Sequence, residues 1–285
     1  MLNIKYKSKI TDIITGIPRL FRIQLAIFGM ICVLIGGIIG GLDFLNERLI
    51  IAMIAVFFIT SGSMAFNDYF DRDIDKKAHP DRPIPSGKIT PVQGLTLSII
   101  LFSVSLTLSF FINILCFIIA VVTIDLLILY ETTLKNKILV GNIVVAFIIA
   151  ISFSYGGASV GKPEMSLDFT LLAFFLMLGR EILMDVTDME GDKLNRYTLP
   201  MKIGKRNATF IGCFFLLLSV LFLFIPGLIG IFAKYYLILI IPVQALVIYS
   251  IILPIIKTEN TGRSADLLLI AIAMGLSVFI FSIIF

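Results

Sequence analysis

Nine runs of about 20 predominantly apolar residues, each long enough to cross about 30 Å of hydrocarbon as a helix, occupy most of this 285-residue chain. They lie near 22–42, 48–66, 91–111, 113–131, 138–156, 167–184, 207–226, 232–254 and 265–285. Backbone polar groups in a bilayer must be bonded within a helix or a closed barrel, and these runs are continuous, without the alternation of short barrel strands. The sequence therefore predicts an all-α, polytopic membrane bundle of nine transmembrane helices. Composition agrees: 59% of the residues are hydrophobic and only 15% charged, against roughly 45–50% and 25% in soluble domains.

Sidedness follows from the basic residues. With nine spans, the N-terminal segment and the even-numbered connections carry 20 of the 23 Lys and Arg; Arg48, Lys162 and Lys234 are on the other side. By the positive-inside rule the N-terminus is cytoplasmic. No polar linker divides the chain, so residues 1–285 read as one domain. The net charge of +4 is spread over five cytoplasmic segments and is no nucleic-acid signature. The first 22 residues do not read as a cleavable signal peptide. Ile10, Ile13, Ile14, Ile17, Leu20 and Phe21 recur at helical spacing, which suggests an amphipathic helix lying in the membrane interface. Cys32, Cys116 and Cys213, an odd set within apolar runs, are read as core or lipid-facing residues.

Acidic residues carry the functional signal, because near a membrane they are costly unless paired, hydrated or bound to a cation. Nine of the 19 fall in two cytoplasmic stretches, Asn67-Asp68-Tyr69-Phe70-Asp71-Arg72-Asp73-Ile74-Asp75 and Arg180-Glu181 through Asp185, Asp188, Glu190 and Asp192. At about 100° per helical residue, Asp71, Asp75 and Asp68 share a face with Asn67, and Asp73 points away. Glu181, Asp185, Asp188 and Asp192 share a face in the second stretch. Hard oxygen donors in this number suit Mg²⁺, and two such faces opposed would hold two ions across a diphosphate. The plain alternative is a pair of solvated helix ends salt-bridged to Arg72, Lys76, Lys77 and Lys193.

At these residues the chain resembles the UbiA superfamily of intramembrane prenyltransferases. The marks are N-D-x-x-D-x-x-x-D from Asn67 to Asp75, Asp188-x-x-x-Asp192 preceded by Asp185, Arg82-Pro83-Ile84-Pro85-Ser86-Gly87, and Thr198-Leu199-Pro200. Loop wording around Asp75–Pro83 and Gly191–Pro200 is most similar to the archaeal branch that forms the second ether bond of archaeal lipids. The resemblance implies transfer of a geranylgeranyl group from its diphosphate to the glycerol hydroxyl of geranylgeranylglyceryl phosphate. It also implies Mg²⁺ held by Asn67, Asp71, Asp75, Asp188 and Asp192, with Asp185 on the same face as the last two. Catalysis would centre on Asp71, Asp75, Asp188 and Asp192. Substrate contacts would come from Arg22, Asn67, Asp68, Arg82, Tyr130, Lys135 and Lys193, and apolar walls would exclude water from an allylic cation.

The family's Tyr-x-x-x-Lys is matched here one residue too long, as Tyr130 and Lys135, about 140° apart on an unbroken helix; Glu131 and Lys135 form the competing i,i+4 pair. Asp125, inside the fourth run, is expected to face the bundle cavity. His79 reads as a solvated loop histidine or a general base. The proton from the acceptor has a motif carboxylate or the pyrophosphate as its destination. Gly156-x-x-x-x-Gly161-Lys162 opens like a P-loop, but Pro163 replaces the required hydroxyl residue. Alternative functions are prenylation of an aromatic or quinone-precursor acceptor and cation transport. CDP-alcohol phosphatidyl transfer is excluded by its missing contiguous motif. The expected enzyme sits in the cell membrane with its active site facing the cytoplasm, in contact with prenyl diphosphate, a lipid-like acceptor and membrane lipids. Its oligomeric state is left open.

Overall fold

The structure, a computed structural model, describes residues 15–41, 46–192 and 197–284. All regular structure among them is helical. The long helices are α1 (Ile23–Ile39), α2 (Glu47–Phe70), α3 (Pro91–Ile112), α4 (Ile114–Thr132), α5 (Val140–Ser159), α6 (Leu167–Asp192), α7 (Lys205–Phe222), α8 (Ile241–Ile256) and α9 (Thr261–Ile284). Seven, namely α2 to α5 and α7 to α9 with short helical extensions, are long and apolar enough to cross a membrane. The protein is thus a multi-pass membrane protein. α1 has 17 residues, and α6 carries Arg180, Glu181, Asp185, Asp188, Glu190 and Asp192 in its second half.

Local chemistry fixes the helix ends. Asn46 caps α2, its side chain accepting from the Arg48 and Leu49 amides. α3 opens with a reciprocal capping box between Thr90 and Gln93, followed by Pro91, which satisfies amide groups that a helix start leaves orphaned. Asn113 alone turns α3 into α4: its backbone is extended, its side-chain oxygen accepts from Cys116 N at 2.8 Å, and its amide donates to Ala158 O at 2.8 Å. The expected eighth span at 232–254 is interrupted. A short helix, Tyr236–Leu239, precedes α8, which begins beside Pro242 and contains Pro254.

Consecutive helices pack side by side, and α1 touches both α5 and α9 while α6 touches α9. Two lobes result, α1–α5 and α6–α9, joined along α5–α6 and α1–α9. At the α1–α5 crossing, a Cβ on Gly36 would run into the Phe153 carbonyl and one on Gly156 into the Val33 carbonyl. Only glycine permits that approach. Phe153 of the first lobe stacks on Phe169 of the second, which packs edge-on against the stacked pair Phe232 and Phe279, and Cys32, Cys116 and Cys213 are free and buried. Large side chains such as Phe111, Ile114, Ile238 and Ile256 project outward, as lipid-facing positions do because hydrocarbon solvates them.

Two expectations change. Asp125 does not face the bundle interior: it is exposed on the outer side of α4, in line with Val122 and Leu129. The helical segment at 15–20 does not lie free in an interface, since Ile17, Leu20 and Phe21 pack on Ala65, Ile84 and Ile89; Ile10, Ile13 and Ile14 lie outside the described residues. The P-loop-like stretch is the end of α5 and a turn, with Gly161 at φ +80° and a 3₁₀ helix at Pro163–Ser166.

Candidate active site

The first acidic stretch is one helix with a bend. α2 ends at Phe70, Asp71 caps it, and a short helix runs Arg72–Ala78. The i to i+4 bonds persist through the bend, with Asp71 N on Asn67 O and Asp75 N on Asp71 O, so the face shared by Asn67, Asp71 and Asp75 survives. Asp73 points elsewhere and is served locally. The Lys76 ammonium, 2.8 Å away, holds its carboxyl below the usual carboxylate range, with Arg72 adding to the effect.

Cations from outside the stretch cover the remaining acids. Arg22 donates to Asp68 Oδ1 at 2.7 Å, and Arg82 donates to Asp75 Oδ2 at 2.6 Å and lies 3.7 Å from Asp68. Asp68 and Asp75 are 1% and 3% exposed. Burying a carboxylate without such partners costs several kcal/mol, so these arginines are conditions of the fold as well as candidates for substrate contact. Asp68 meets both Arg22 and Arg82 through its Oδ1. Arg22 sits at φ +44° immediately before α1, a left-handed conformation for a non-glycine residue.

Lys135 completes the arrangement. Its ammonium lies 2.6 Å from both Asp71 oxygens and 3.0 Å from Glu131 Oε2. α4 stops at Thr132 and a 3₁₀ turn spans Leu134–Asn136, so the unbroken-helix objection to a joint role for Tyr130 and Lys135 does not apply. Both line one polar cleft with about 360 Å³ of atom-free space, together with Asn142, Glu181, Asp185 and Thr198. The Glu131–Lys135 pair coexists with this arrangement.

The second stretch meets the cleft through α6. Asp185 Oδ2 accepts from Asn142 Nδ2 at 2.9 Å, and Glu181 pairs with Arg180 at 3.1 Å. Asp188 and Glu190 are exposed, Glu190 lying 3.6 Å from Lys205. The Asp192 side chain and Lys193 lie outside the described residues. Thr198 presents a buried hydroxyl with no hydrogen-bond partner among the described residues, a group a bound ligand can satisfy.

One turn deeper on α6, Leu176 and Met177 line an apolar cavity with about 600 Å³ of atom-free space, walled also by Phe153, Phe169, Val247 and Leu276. A charged cleft above an oily cavity suits an amphiphile with an anionic head.

Among the described residues no group of three His, Cys, Asp or Glu side chains converges as a ready metal cage. The donors nevertheless suit a hard cation. They are carboxylates and amides, and both amide hydrogens of Asn67 are spoken for, by Glu131 at 2.8 Å and Asp71 at 3.1 Å. The Asn67 oxygen is then the atom left to face a ligand. Glu131 as a partner of Asn67, Asn142 and the Thr198 hydroxyl are site features that the sequence reading did not assign. Only the polar character of Asn142 within the first turn of an apolar helix was a signal.

Residues 26–274 match the UbiA prenyltransferase family. Digeranylgeranylglyceryl phosphate synthases are similar: that of Thermococcus kodakarensis is 34% identical over 233 residues, covering 81% of this chain and 83% of the relative. That of Methanococcus maripaludis is 36% identical over 256 residues, covering 84% and 91%. A solved digeranylgeranylglyceryl phosphate synthase structure superimposes with a TM-score of 0.81 at 32% identity, covering 95% of this chain and 99% of that one. An Archaeoglobus fulgidus UbiA homologue bound to DMAPP and Mg²⁺ shares the fold, with a TM-score of 0.67 at 18% identity over 93% of this chain and 99% of that one. The polar cleft, the two acidic stretches and these matches over most of its length converge on one conclusion: this chain belongs to the UbiA prenyltransferase family.

Proposed function

We propose that this prenyltransferase moves a geranylgeranyl group from geranylgeranyl diphosphate to the glycerol hydroxyl of geranylgeranylglyceryl phosphate, forming the second ether bond of an archaeal lipid. The activity named for its relatives supports the reading. The observation that carries it is the polar cleft one helical turn above the apolar cavity, joined along α6 from Glu181 to Met177, about 6 Å. The cavity takes the prenyl tail and keeps water from the allylic cation.

In this reading Asn67, Asp71 and Asp75 on one side and Asp185, Asp188 and Asp192 on the other would hold Mg²⁺ at the diphosphate. Bound Mg²⁺ supplies charge neutralisation to the departing diphosphate. Lys135, Arg82 and Arg22 add fixed positive charge, Tyr130 and Thr198 offer hydroxyls, and Lys193 would be a further basic group for the diphosphate or the acceptor's phosphate. A motif carboxylate or the released pyrophosphate takes the proton from the attacking hydroxyl, which is strongly acidic once it has bonded to carbon.

The topology that goes with this reading is one domain of nine spans in the cell membrane, with the N-terminus and site on the cytoplasmic side. The basic-residue asymmetry supports it. α1, at 17 residues or about 26 Å, falls a few Å short of the hydrocarbon thickness, which local thinning of the bilayer absorbs. In α6 the charged half is the part that lines the cleft.

Purified protein given geranylgeranyl diphosphate, Mg²⁺ and either geranylgeranylglyceryl phosphate or 4-hydroxybenzoate tests the acceptor. The doubly prenylated glyceryl phosphate is the expected product. Prenylation of the aromatic acceptor alone overturns the ether-lipid reading, and Mg²⁺ flux without any prenylation overturns the enzyme reading.

A further inference from the structure

Glu131 ends α4 with its side chain only 6% exposed, a costly place for a carboxylate unless both oxygens are used. Both are. Oε1 accepts from Asn67 Nδ2 at 2.8 Å and Oε2 from Lys135 Nζ at 3.0 Å, while Lys135 and the same Asn67 nitrogen contact Asp71. Four side chains from segments 64 residues apart close a ring.

We propose that Glu131 is a positioning residue for the metal and diphosphate site, acting through Asn67 and Lys135. An asparagine amide binds a hard cation through its oxygen, and nothing in its shape distinguishes oxygen from nitrogen. Glu131 does so here: two carboxylates draw the nitrogen toward themselves and turn the oxygen to the open side. It also gives Lys135 a partner that remains when Asp71 turns to another cation. Two carboxylates against one ammonium leave the ring with one excess negative charge, which favours further cation binding. Glutamine is the informative replacement. It has one acceptor where two donors point, so one contact becomes donor against donor and the amide orientation is released.

The inference rests on the proposed prenyl-transfer reading, and the test separates the two. Mn²⁺ binding is followed by electron paramagnetic resonance on folded protein with an unreactive geranylgeranyl thiolodiphosphate. Wild type binds; absence of any Mn²⁺ binding there defeats the prenyl-transfer reading itself. Glu131→Gln weakens Mn²⁺ affinity about tenfold, the scale typical of losing a ligand's outer partner. Asn67→Ala weakens it comparably, and the double variant is no worse than the weaker single, because both changes remove one effect. If Glu131 only braces the fold, Glu131→Gln lowers the melting temperature but leaves affinity unchanged, or its loss multiplies with that of Asn67→Ala; either result overturns the proposal. Should Glu131→Gln not fold, Glu131→Asp keeps the charge but withdraws it by one methylene. An intermediate loss of affinity then supports the proposal, and wild-type affinity defeats it.

Discussion

The two acidic stretches have similar composition but opposite electrostatic circumstances. In the first, Asp68 and Asp75 are almost wholly buried, and three cations from outside the stretch, Arg22, Arg82 and Lys135, converge on its carboxylates. In the second, Asp188 and Glu190 are exposed, and Asp185 is met by an uncharged amide, Asn142. Burial is the difference. A carboxylate withdrawn from water must be matched by a fixed charge, whereas one at the rim keeps its access to water beside its protein contacts. The first stretch is the buried wall of the site and the second the more exposed one, so substitutions should separate stability from activity differently on the two sides.

Lys135→Met should have the largest effect. It leaves Asp71 and Glu131 facing each other without a cation, a loss of about 3–5 kcal/mol for a broken buried pair, and it removes positive charge beside the diphosphate. Prenyl transfer should fall by about 100-fold or more and the melting temperature should drop; near-normal turnover would erase the contrast. Asp188→Asn should cut turnover about tenfold or more while leaving thermal unfolding unchanged, because the residue is exposed. Arg82→Ala is predicted to destabilise by about 1–3 kcal/mol, read by thermal unfolding in detergent, as, among the described residues, Asp75 loses its one ion pair and Asp68 one of two.

Smaller effects sharpen the boundary. Asp125→Leu should leave turnover within about twofold, since the side chain points away from the cleft, and should not reduce stability in the bilayer, where an outward carboxylate is unfavourable. Lys76→Met should leave stability nearly unchanged, the pair being exposed, yet Asp73 should titrate higher. Its folded pKa is depressed, so the Lys76 interaction stabilises at neutral pH and fades as pH falls through that depressed value. Measured titration of Asp73 in both proteins checks the sign.

Most of the helices were legible because twenty apolar residues in a row leave the backbone no other way to satisfy itself in lipid. Irregularities were less so. Pro242 shifts where α8 begins, and Asn113 compresses a connection into one residue by using both ends of its amide. Direction was hidden too: hydropathy finds Asp125 inside a span but not that α4 presents it outward, and periodicity finds the apolar side of Ile17, Leu20 and Phe21 but not that Ala65 and Ile89 cover it. At the site, the 100° periodicity identified the Asn67, Asp71 and Asp75 face and set Asp73 apart, because that geometry is local. The Asn67–Glu131 and Asp71–Lys135 contacts span 64 residues and depend on α4 packing beside α2. Tyr130 and Lys135 looked out of phase only on the assumption that α4 continues past Thr132.

The central claim is that the two stretches close on one diphosphate. An experimental structure with geranylgeranyl thiolodiphosphate and Mg²⁺ tests it most directly. The account predicts the diphosphate between the Asn67, Asp71 and Asp75 face and the Asp185, Asp188 and Asp192 face, with the tail in the cavity lined by Met177 and Phe169 and Lys135 released from Asp71. A diphosphate bound away from either face, with Lys135 still seated on Asp71, would contradict it.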